Sequence, residues 1–208
     1  YNGNAAVTKV QREFLFIRPL NALVILDRMR ASSDSLLSFY GTDSWVERSD
    51  PLAVRVGAAQ VTRSFIMHFE VAPTTAANRV QATLGNQVSE LITLLPASPA
   101  FRIVNEDRPG DEDAGQFRLE LDSVGSVESY FLNVVHGRDT GDAPLAATLA
   151  DNGDRWTLQL SHPALGNASV VFKKGMVSKG GSIAISPGSV ALLNPGLQGL
   201  EVTADGPV

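Results

Sequence analysis

The 208-residue sequence contains no cysteine. Disulfides, Cys-ligated zinc and thiol nucleophiles are therefore excluded. This absence does not fix the compartment, because bacterial exported proteins often lack cysteine as well. The sequence also has no run of about 18 apolar residues, so it predicts no membrane-spanning segment.

Basic residues are few and scattered, and the formal net charge is −5 at pH 7. A protein that grips nucleic acid or an anionic membrane concentrates lysine and arginine locally, so neither partner is predicted. What is present is typical of a globular protein, with 44% hydrophobic and 19% charged residues. The length is sufficient for one large β domain or two small ones.

The start of the sequence, Tyr1-Asn2-Gly3-Asn4, has no Met and none of the charged and apolar regions of a signal peptide. We expect a processed protein or a piece of a longer chain. The second is favoured because the first strand pattern begins only a few residues later.

Period-two alternation of apolar and polar residues dominates the sequence and predicts strands. Residues 10–17 and 22–29 form the first pair, separated by the turn signal Arg18-Pro19-Leu20-Asn21. The apolar run 23–26 is typical of a central strand that is buried on both faces. Further strands are predicted at 62–70, 78–84, 90–95, 101–105, 116–122, 128–136, 144–150, 155–160, 169–174, 182–186, 190–193 and 200–203.

Short strands at spacings of about 8–12 residues indicate a sandwich or barrel rather than alternating α/β units. Asp151-Asn152-Gly153-Asp154 is typical of a tight hairpin turn. The one helix candidate is the short segment 34–40, inside the irregular stretch 31–59. The predicted fold class is all-β, an antiparallel multi-stranded β-sandwich of the supersandwich type with little helix.

The acidic stretch 105–114 is a candidate boundary, because five acids with a proline and a glycine indicate an exposed loop. Residues 1–105 then hold a first set of β-sheets. Residues 106–208 either continue the sandwich or form a second small all-β region.

Histidine, of which there are three, is the first candidate for chemistry. His68 alternates with buried-type residues in its strand, and is either a half-exposed strand residue or a contact to a ligand or sugar. His136 is predicted to end a strand just before Arg138, where sites are often assembled, with a residue at a loop edge as the alternative. His162 precedes a proline in a turn and is predicted to be structural. No two histidines have metal-ligand spacing, so no zinc site is predicted.

Exposed aromatic residues would mark sugar binding, because they cover the apolar faces of pyranose rings. Tyr40 and Trp45, in the irregular stretch, are the candidates, with simple anchoring of the loop as the alternative. Tyr130 and Trp156 lie inside predicted strands and are expected in the core.

Clustered carboxylates raise one metal possibility, calcium at Asp107, Asp111 and Asp113. They do not follow the spaced order of a calcium loop, and a solvated charge run is the alternative. No other cofactor is predicted. A serine nucleophile elbow and a phosphate-binding loop are absent from the sequence.

Several strand patterns resemble the heparinase II/III-like polysaccharide lyases. The resemblance is carried by the segment 12–28 (REFLFIRPLNALVILDR), by 65–69 followed by Glu70-Val71-Ala72-Pro73, by 91–96 (LITLLP) and by 130–135 (YFLNVV). It covers roughly residues 7–140 and consists of strand patterns, without a catalytic motif.

The resemblance implies the C-terminal β-sandwich portion of a secreted or periplasmic bacterial lyase that acts on uronate-containing polysaccharide by β-elimination. The partner it implies is an upstream α/α toroid of the same gene product, which would hold most of the catalytic machinery. This chain alone is then expected to be inactive. Catalytic residues stay unassigned, with His68, His136 and Arg138 as the positions to inspect.

Two other interpretations of the sequence remain open at this point. The chain could be a non-catalytic carbohydrate-binding or structural β-sandwich module whose strand patterns are generic. A weaker alternative is a self-contained hydrolase that uses two of the 22 carboxylates.

Overall fold

The computed structural model describes residues 7–31, 61–106, 116–125, 128–175, 183–184 and 202–205. Nearly all of these residues lie in antiparallel strands, and one turn of 3-10 helix, Arg18–Leu20, is the helical element among them. The strands predicted at 10–17 and 22–29 are confirmed as one hairpin. The predicted helix at 34–40 and the strand at 190–193 lie outside the described residues.

A six-stranded central sheet has the order β1-β2-β9-β6-β5-β4. Its strands are β1 (Val7–Ile17), β2 (Ala22–Ala31), β4 (Thr74–Ala76), β5 (Arg79–Leu84), β6 (Gln87–Leu95) and β9 (Glu128–Asp139). β2 and β9, and then β9 and β6, pair antiparallel along most of their lengths. β9 therefore lies between two strands that precede it in the sequence by many residues.

Two smaller sheets complete the described part. The three-stranded sheet has the order β3-β8-β7 and consists of β3 (Val61–Phe69), β7 (Ala100–Asn105) and β8 (Phe117–Gly125). The C-terminal sheet has β10 (Ala146–Asp151), β11 (Arg155–His162) and β12 (Gly166–Lys173) in that order. The short strands β13 (Ile183–Ala184) and β14 (Val202–Asp205) both pair with β12.

The turn of the β1–β2 hairpin is formed by residues that suit its backbone geometry. Proline occupies the start of the Arg18–Leu20 turn, where its fixed φ suits the geometry. Asn21 then adopts a left-handed conformation with φ of 47°, which asparagine tolerates better than most residues. Its side-chain amide donates to the Gly137 carbonyl at 2.8 Å. The turn is thereby tied to β9, the strand next to β2.

The central sheet carries a hydrophobic core on each face. Alternation along β2 sends Val24 and Leu26 into a first core against the C-terminal sheet, and Ile25 into a second core against the three-stranded sheet. Burial of such a side chain stabilises the fold by about 1.5–3 kcal/mol. The prediction that the run 23–26 belongs to a central strand is confirmed.

The two cores are filled from all three sheets. Leu158, Val170 and Phe172 reach the first core from the C-terminal sheet. Phe65 and Leu121 reach the second core from the three-stranded sheet. The chain is thus an all-β antiparallel sandwich, as the alternation predicts, with one sheet enclosed by two others. Strands from both sides of position 105 share the central sheet and the three-stranded sheet.

Candidate functional site

Glu90 and His136 form the centre of a buried polar cluster, which also contains Arg79, Gln81 and His162. Glu90 in β6 and His136 in β9 are directly opposite each other across the strand pair, on the face that carries the first core. Their exposed fractions are 0% and 1%. A carboxylate this deeply buried must be compensated by partners, because removal from water costs several kcal/mol.

That compensation comes from β5. Arg79 and Gln81 have the same side-chain direction as Glu90, and each donates to Glu90 Oε1 at 2.6 Å. The other guanidinium nitrogen of Arg79, Nη2, donates to the Leu145 carbonyl at 2.7 Å. Arg79 therefore joins the central sheet to the connection that leads into β10.

The second carboxylate oxygen of Glu90 faces the His136 ring without a hydrogen bond. Glu90 Oε2 and His136 Nδ1 are 3.8 Å apart, beyond hydrogen-bonding distance, and each is buried with no partner in the described part of the chain. Burial lowers the pKa of His136, and Glu90 opposes this shift, while His162 and Arg138 add to it. The imidazole is therefore held in its neutral form.

His162 enters the cluster from β11, the neighbouring sheet. Its ring centroid is 6.0 Å from that of His136. Nδ1 accepts the backbone N–H groups of Ala164 and Leu165 at 3.2 and 3.1 Å, and Nε2 donates to the Ala143 carbonyl at 2.9 Å. These partners assign the single proton to Nε2. The prediction that His162 is structural agrees with this geometry, in which the ring organises the β11–β12 turn.

His136 does not end its strand, and this prediction is wrong. β9 continues to Asp139 because residues 137–139 pair with Gln87–Ser89 of β6. Arg138 consequently lies on the same face as His136, two residues further along. Its Nη1 donates to the carbonyls of Asp139 and Asp142 at 3.2 and 3.1 Å, which braces the turn after β9.

The chemistry available to the buried polar cluster follows from its burial. A general base must come within hydrogen-bonding reach of the proton it removes. Glu90 and His136 are enclosed between the central and C-terminal sheets, so neither presents an atom to a polysaccharide in this conformation. The cluster joins sheets here and does not act as an open acid–base pair.

His68 belongs to a different surface. β3, β7 and β8 direct alternate residues away from the second core, and five charged or titratable side chains on this face form an outer ionic chain: Arg102, Glu120, Arg118, Glu106 and His68. Arginine and glutamate alternate over its first four members, and His68 is the last one. Arg118 Nε donates to Glu120 Oε1 at 2.8 Å, and His68 Nε2 is 3.2 Å from Glu106 Oε2.

The outer ionic chain is accessible at both ends. The side chains of His68 and Arg102 are 47% and 36% exposed, whereas Glu120 between them is fully buried. The half-exposed strand position predicted for His68 is confirmed. Since the second core and the central sheet separate His68 from His136, the structure does not bring these two candidates together.

A third set of polar side chains surrounds Trp156, at the edge of the first core. Arg28 is fully buried, stacks over the Trp156 ring with its guanidinium carbon 5.9 Å from the centroid, and donates to the Gly175 carbonyl at 2.5 Å. Tyr130 meets Trp156 edge to face with centroids 5.1 Å apart. Burial and a hydrogen bond to Glu128 raise the pKa of Tyr130 to about 12. Trp156 belongs to the first core, as predicted.

Other candidates cannot be placed. Tyr40 and Trp45, the proposed sugar contacts, lie outside the described residues, and so do the calcium candidates Asp107, Asp111 and Asp113. Within the described ranges, no group of three or more His, Asp or Glu side chains has the arrangement of a metal site. In the same ranges, no helix has the length and apolar character needed to cross a membrane.

Glu90, Arg79 and Glu120 were not among the candidates predicted from the sequence. A signal for Glu90 was present, since it alternates with Ile92 and Leu94 and therefore shares a face with core residues. Its partner in β5 could not be read from the sequence, because alternation does not give the strand register.

No protein-family model matches this sequence, and no curated protein matches it.

Proposed function

We propose that this chain is the β-sandwich portion of a polysaccharide lyase, and that it supports a catalytic α/α toroid encoded in the same gene. The substrate class is a uronate-containing polysaccharide, cleaved by β-elimination in a secreted or periplasmic setting. The proposal rests on the resemblance to heparinase II/III-like lyases together with one structural observation about the segments that carry it.

That observation is the adjacency of the resembling segments. They fall on β1, β2, β3, β6 and β9, and four of these strands are consecutive in the central sheet in the order β1-β2-β9-β6. Segments that are far apart in the sequence thus form one continuous structural unit. A continuous unit of this kind is what a sandwich shared with those lyases would require.

The described side chains favour a supporting role. β-Elimination needs a group that neutralises the uronate carboxylate and a base, usually His or Tyr, that removes the neighbouring proton. His136 is enclosed, and the Tyr130 hydroxyl is hydrogen-bonded to Glu128. His68 is accessible but is paired with Glu106. The toroid would therefore supply the base, and this chain would hold the toroid in place and line one wall of the cleft.

The test is an activity assay on the complete gene product. Incubation with alginate, hyaluronan, heparan sulfate and polygalacturonate should give the ultraviolet absorbance of an unsaturated uronate with at least one polymer. The 208-residue chain alone should give none. Absence of this absorbance on every uronate polymer would remove the lyase proposal, and turnover by the chain alone would remove the supporting role.

A non-catalytic carbohydrate-binding module is the second candidate. The observation that favours it is the outer ionic chain, which presents exposed His68 and Arg102 on one sheet face. Retention of the isolated chain by acidic but not by neutral polysaccharides, lost in the variant Arg102→Gln, would support this role. Equal retention of the wild type and the variant would oppose it.

A further inference from the structure

The contact between the central and C-terminal sheets contains two titratable atoms that face each other without a hydrogen bond. Glu90 Oε2 and His136 Nδ1 are both buried and 3.8 Å apart. Buried polar atoms are nearly always hydrogen-bonded, so a facing pair with no partner among the described residues is unusual and calls for an explanation. A contact of this kind changes strength when either group gains a proton.

The same place joins two sheets. Glu90 and His136 belong to the central sheet, and the ring of His162 packs on His136 from β11 of the C-terminal sheet. Two backbone carbonyls on the way into β10 are also held here, that of Leu145 by Arg79 and that of Ala143 by His162. Loss of these contacts would release one end of the C-terminal sheet.

We propose that this buried polar cluster is an acid-sensitive latch, closed at neutral pH and opened by protonation of His136. The latch is a property of the fold and does not depend on the proposed lyase function. Opening separates the β10–β11 end of the C-terminal sheet from the central sheet, while the second core on the opposite face stays intact.

Burial favours the neutral form of His136 in the closed state. The described groups that face it are Glu90 from β6, Arg138 from its own strand and His162 from β11, with Arg79 of β5 reaching Glu90, while β2 contributes the apolar Ala22. Glu90 opposes this preference, whereas His162 and Arg138 add to it. A proton on His136 places a charge in an interior where charge is poorly solvated.

Glu90 cannot fully offset the added charge. Its Oε1 is committed to Arg79 and Gln81, and only Oε2 is left to respond, at a distance of 3.8 Å. Closer approach would shift the carboxylate away from those two donors. At acid pH the Glu90 carboxylate therefore cannot pair with protonated His136 and also keep its hydrogen bonds from Arg79 and Gln81.

His162 couples this contact to the C-terminal sheet. Its Nδ1 accepts two backbone N–H groups of the β11–β12 turn, and its ring packs on His136. Displacement of the His136 ring therefore disturbs the ring that organises this turn. Because burial lowers the pKa of His136 in the closed state, His136 binds its proton more weakly there than in the open state, and acid favours opening.

Hydrogen exchange of the full 208-residue chain tests the latch. We expect amides of β10 and of the β11–β12 turn to lose protection by about tenfold or more between about pH 7.5 and about pH 5, on either side of the ordinary histidine pKa, after correction for intrinsic rates. Amides of β3 and β8 should keep their protection. Unchanged protection in β10 would overturn the proposal, and so would an equal loss in β3 and β8, since that pattern is global acid unfolding.

Two variants test whether the acid-induced loss of protection comes from His136. His136→Gln keeps a polar side chain that cannot titrate, and it should reduce the acid-induced loss of protection in β10 at least severalfold. His68→Gln, which alters an exposed histidine in the three-stranded sheet, should leave the loss unchanged. A full acid response in His136→Gln would refute the assignment to this cluster. If that variant does not fold, the wild-type pattern across β10, β3 and β8 still decides.

Discussion

Removal of Arg79 should destabilise the protein far more than its partly exposed position suggests. The side chain of Arg79 is 29% exposed, but its partner Glu90 is fully buried. In Arg79→Met, the methionine preserves most of the apolar stem, and the two donors to Glu90 Oε1 and to the Leu145 carbonyl are lost. A buried carboxylate with only Gln81 left as a donor should cost about 3 kcal/mol, the lower end of the range for breaking a buried pair.

The double variant Arg79→Met/Glu90→Leu provides the decisive comparison. It removes the stranded charge and fills the same space with apolar atoms, so it should be more stable than Arg79→Met alone by about 2 kcal/mol. Urea unfolding followed by circular dichroism measures each free energy of unfolding, provided that the slope with denaturant is unchanged. Arg155→Met is the control, because Arg155 is 58% exposed and 3.7 Å from an exposed Asp154. Its cost should be about 0.5 kcal/mol or less.

Two outcomes would contradict this prediction. If Arg79→Met costs no more than the Arg155→Met control, the carboxylate of Glu90 does not depend on Arg79. If the double variant is no more stable than the single one, the loss comes from packing around residue 79 and not from a stranded charge.

Three further predictions concern the cores, a turn and a tyrosine. Phe131→Ala, in the second core, should lower the free energy of urea unfolding by about 3–5 kcal/mol, whereas Ile103→Ala, at a partly exposed position, should cost about 1 kcal/mol or less. Gly153→Ala should cost about 1 kcal/mol because φ is +79° although the space is open, while Gly141→Ala should have almost no effect on the melting temperature. Because the pKa of Tyr130 is raised to about 12, its contribution to stability is complete below pH 10 and is lost as the pH rises to about 12. Tyr130→Phe should flatten this loss in alkaline unfolding curves, and an unchanged curve would count against the assignment.

Local sequence patterns were sufficient to predict most of the strands and which face of a strand each residue occupies. The apolar run 23–26 indicated a strand buried on both sides, and β2 indeed separates the two cores. The Asn152-Gly153 turn was predicted from residue type alone, because positive φ at glycine is a local property. Alternation around His68 likewise placed the histidine on the opposite face from Phe65 and Phe69, which lie in the second core.

The arrangement of the sheets could not be predicted in the same way. Alternation fixes which face a residue occupies, but it does not name the partner strand or its register. β9 pairs with β2 and with β6, and nothing local to residues 128–139 specifies either partner. The buried polar cluster depends on these pairings, so Glu90 and His136 could not be brought together from sequence. The error at His136 has the same origin, because its strand is prolonged by the pairing with β6.

The position of β9 also has a consequence for the order in which the protein can fold. As the chain leaves the ribosome, β2 and β6 are complete long before β9, and each has an unpaired edge until residues 128–139 arrive. Unpaired edges of apolar strands invite pairing with other chains. β8, which joins β3 to β7, is also synthesised after residue 105. The first 105 residues therefore lack the central strand of both sheets they contribute to, and a fragment that ends there should aggregate instead of folding as a module.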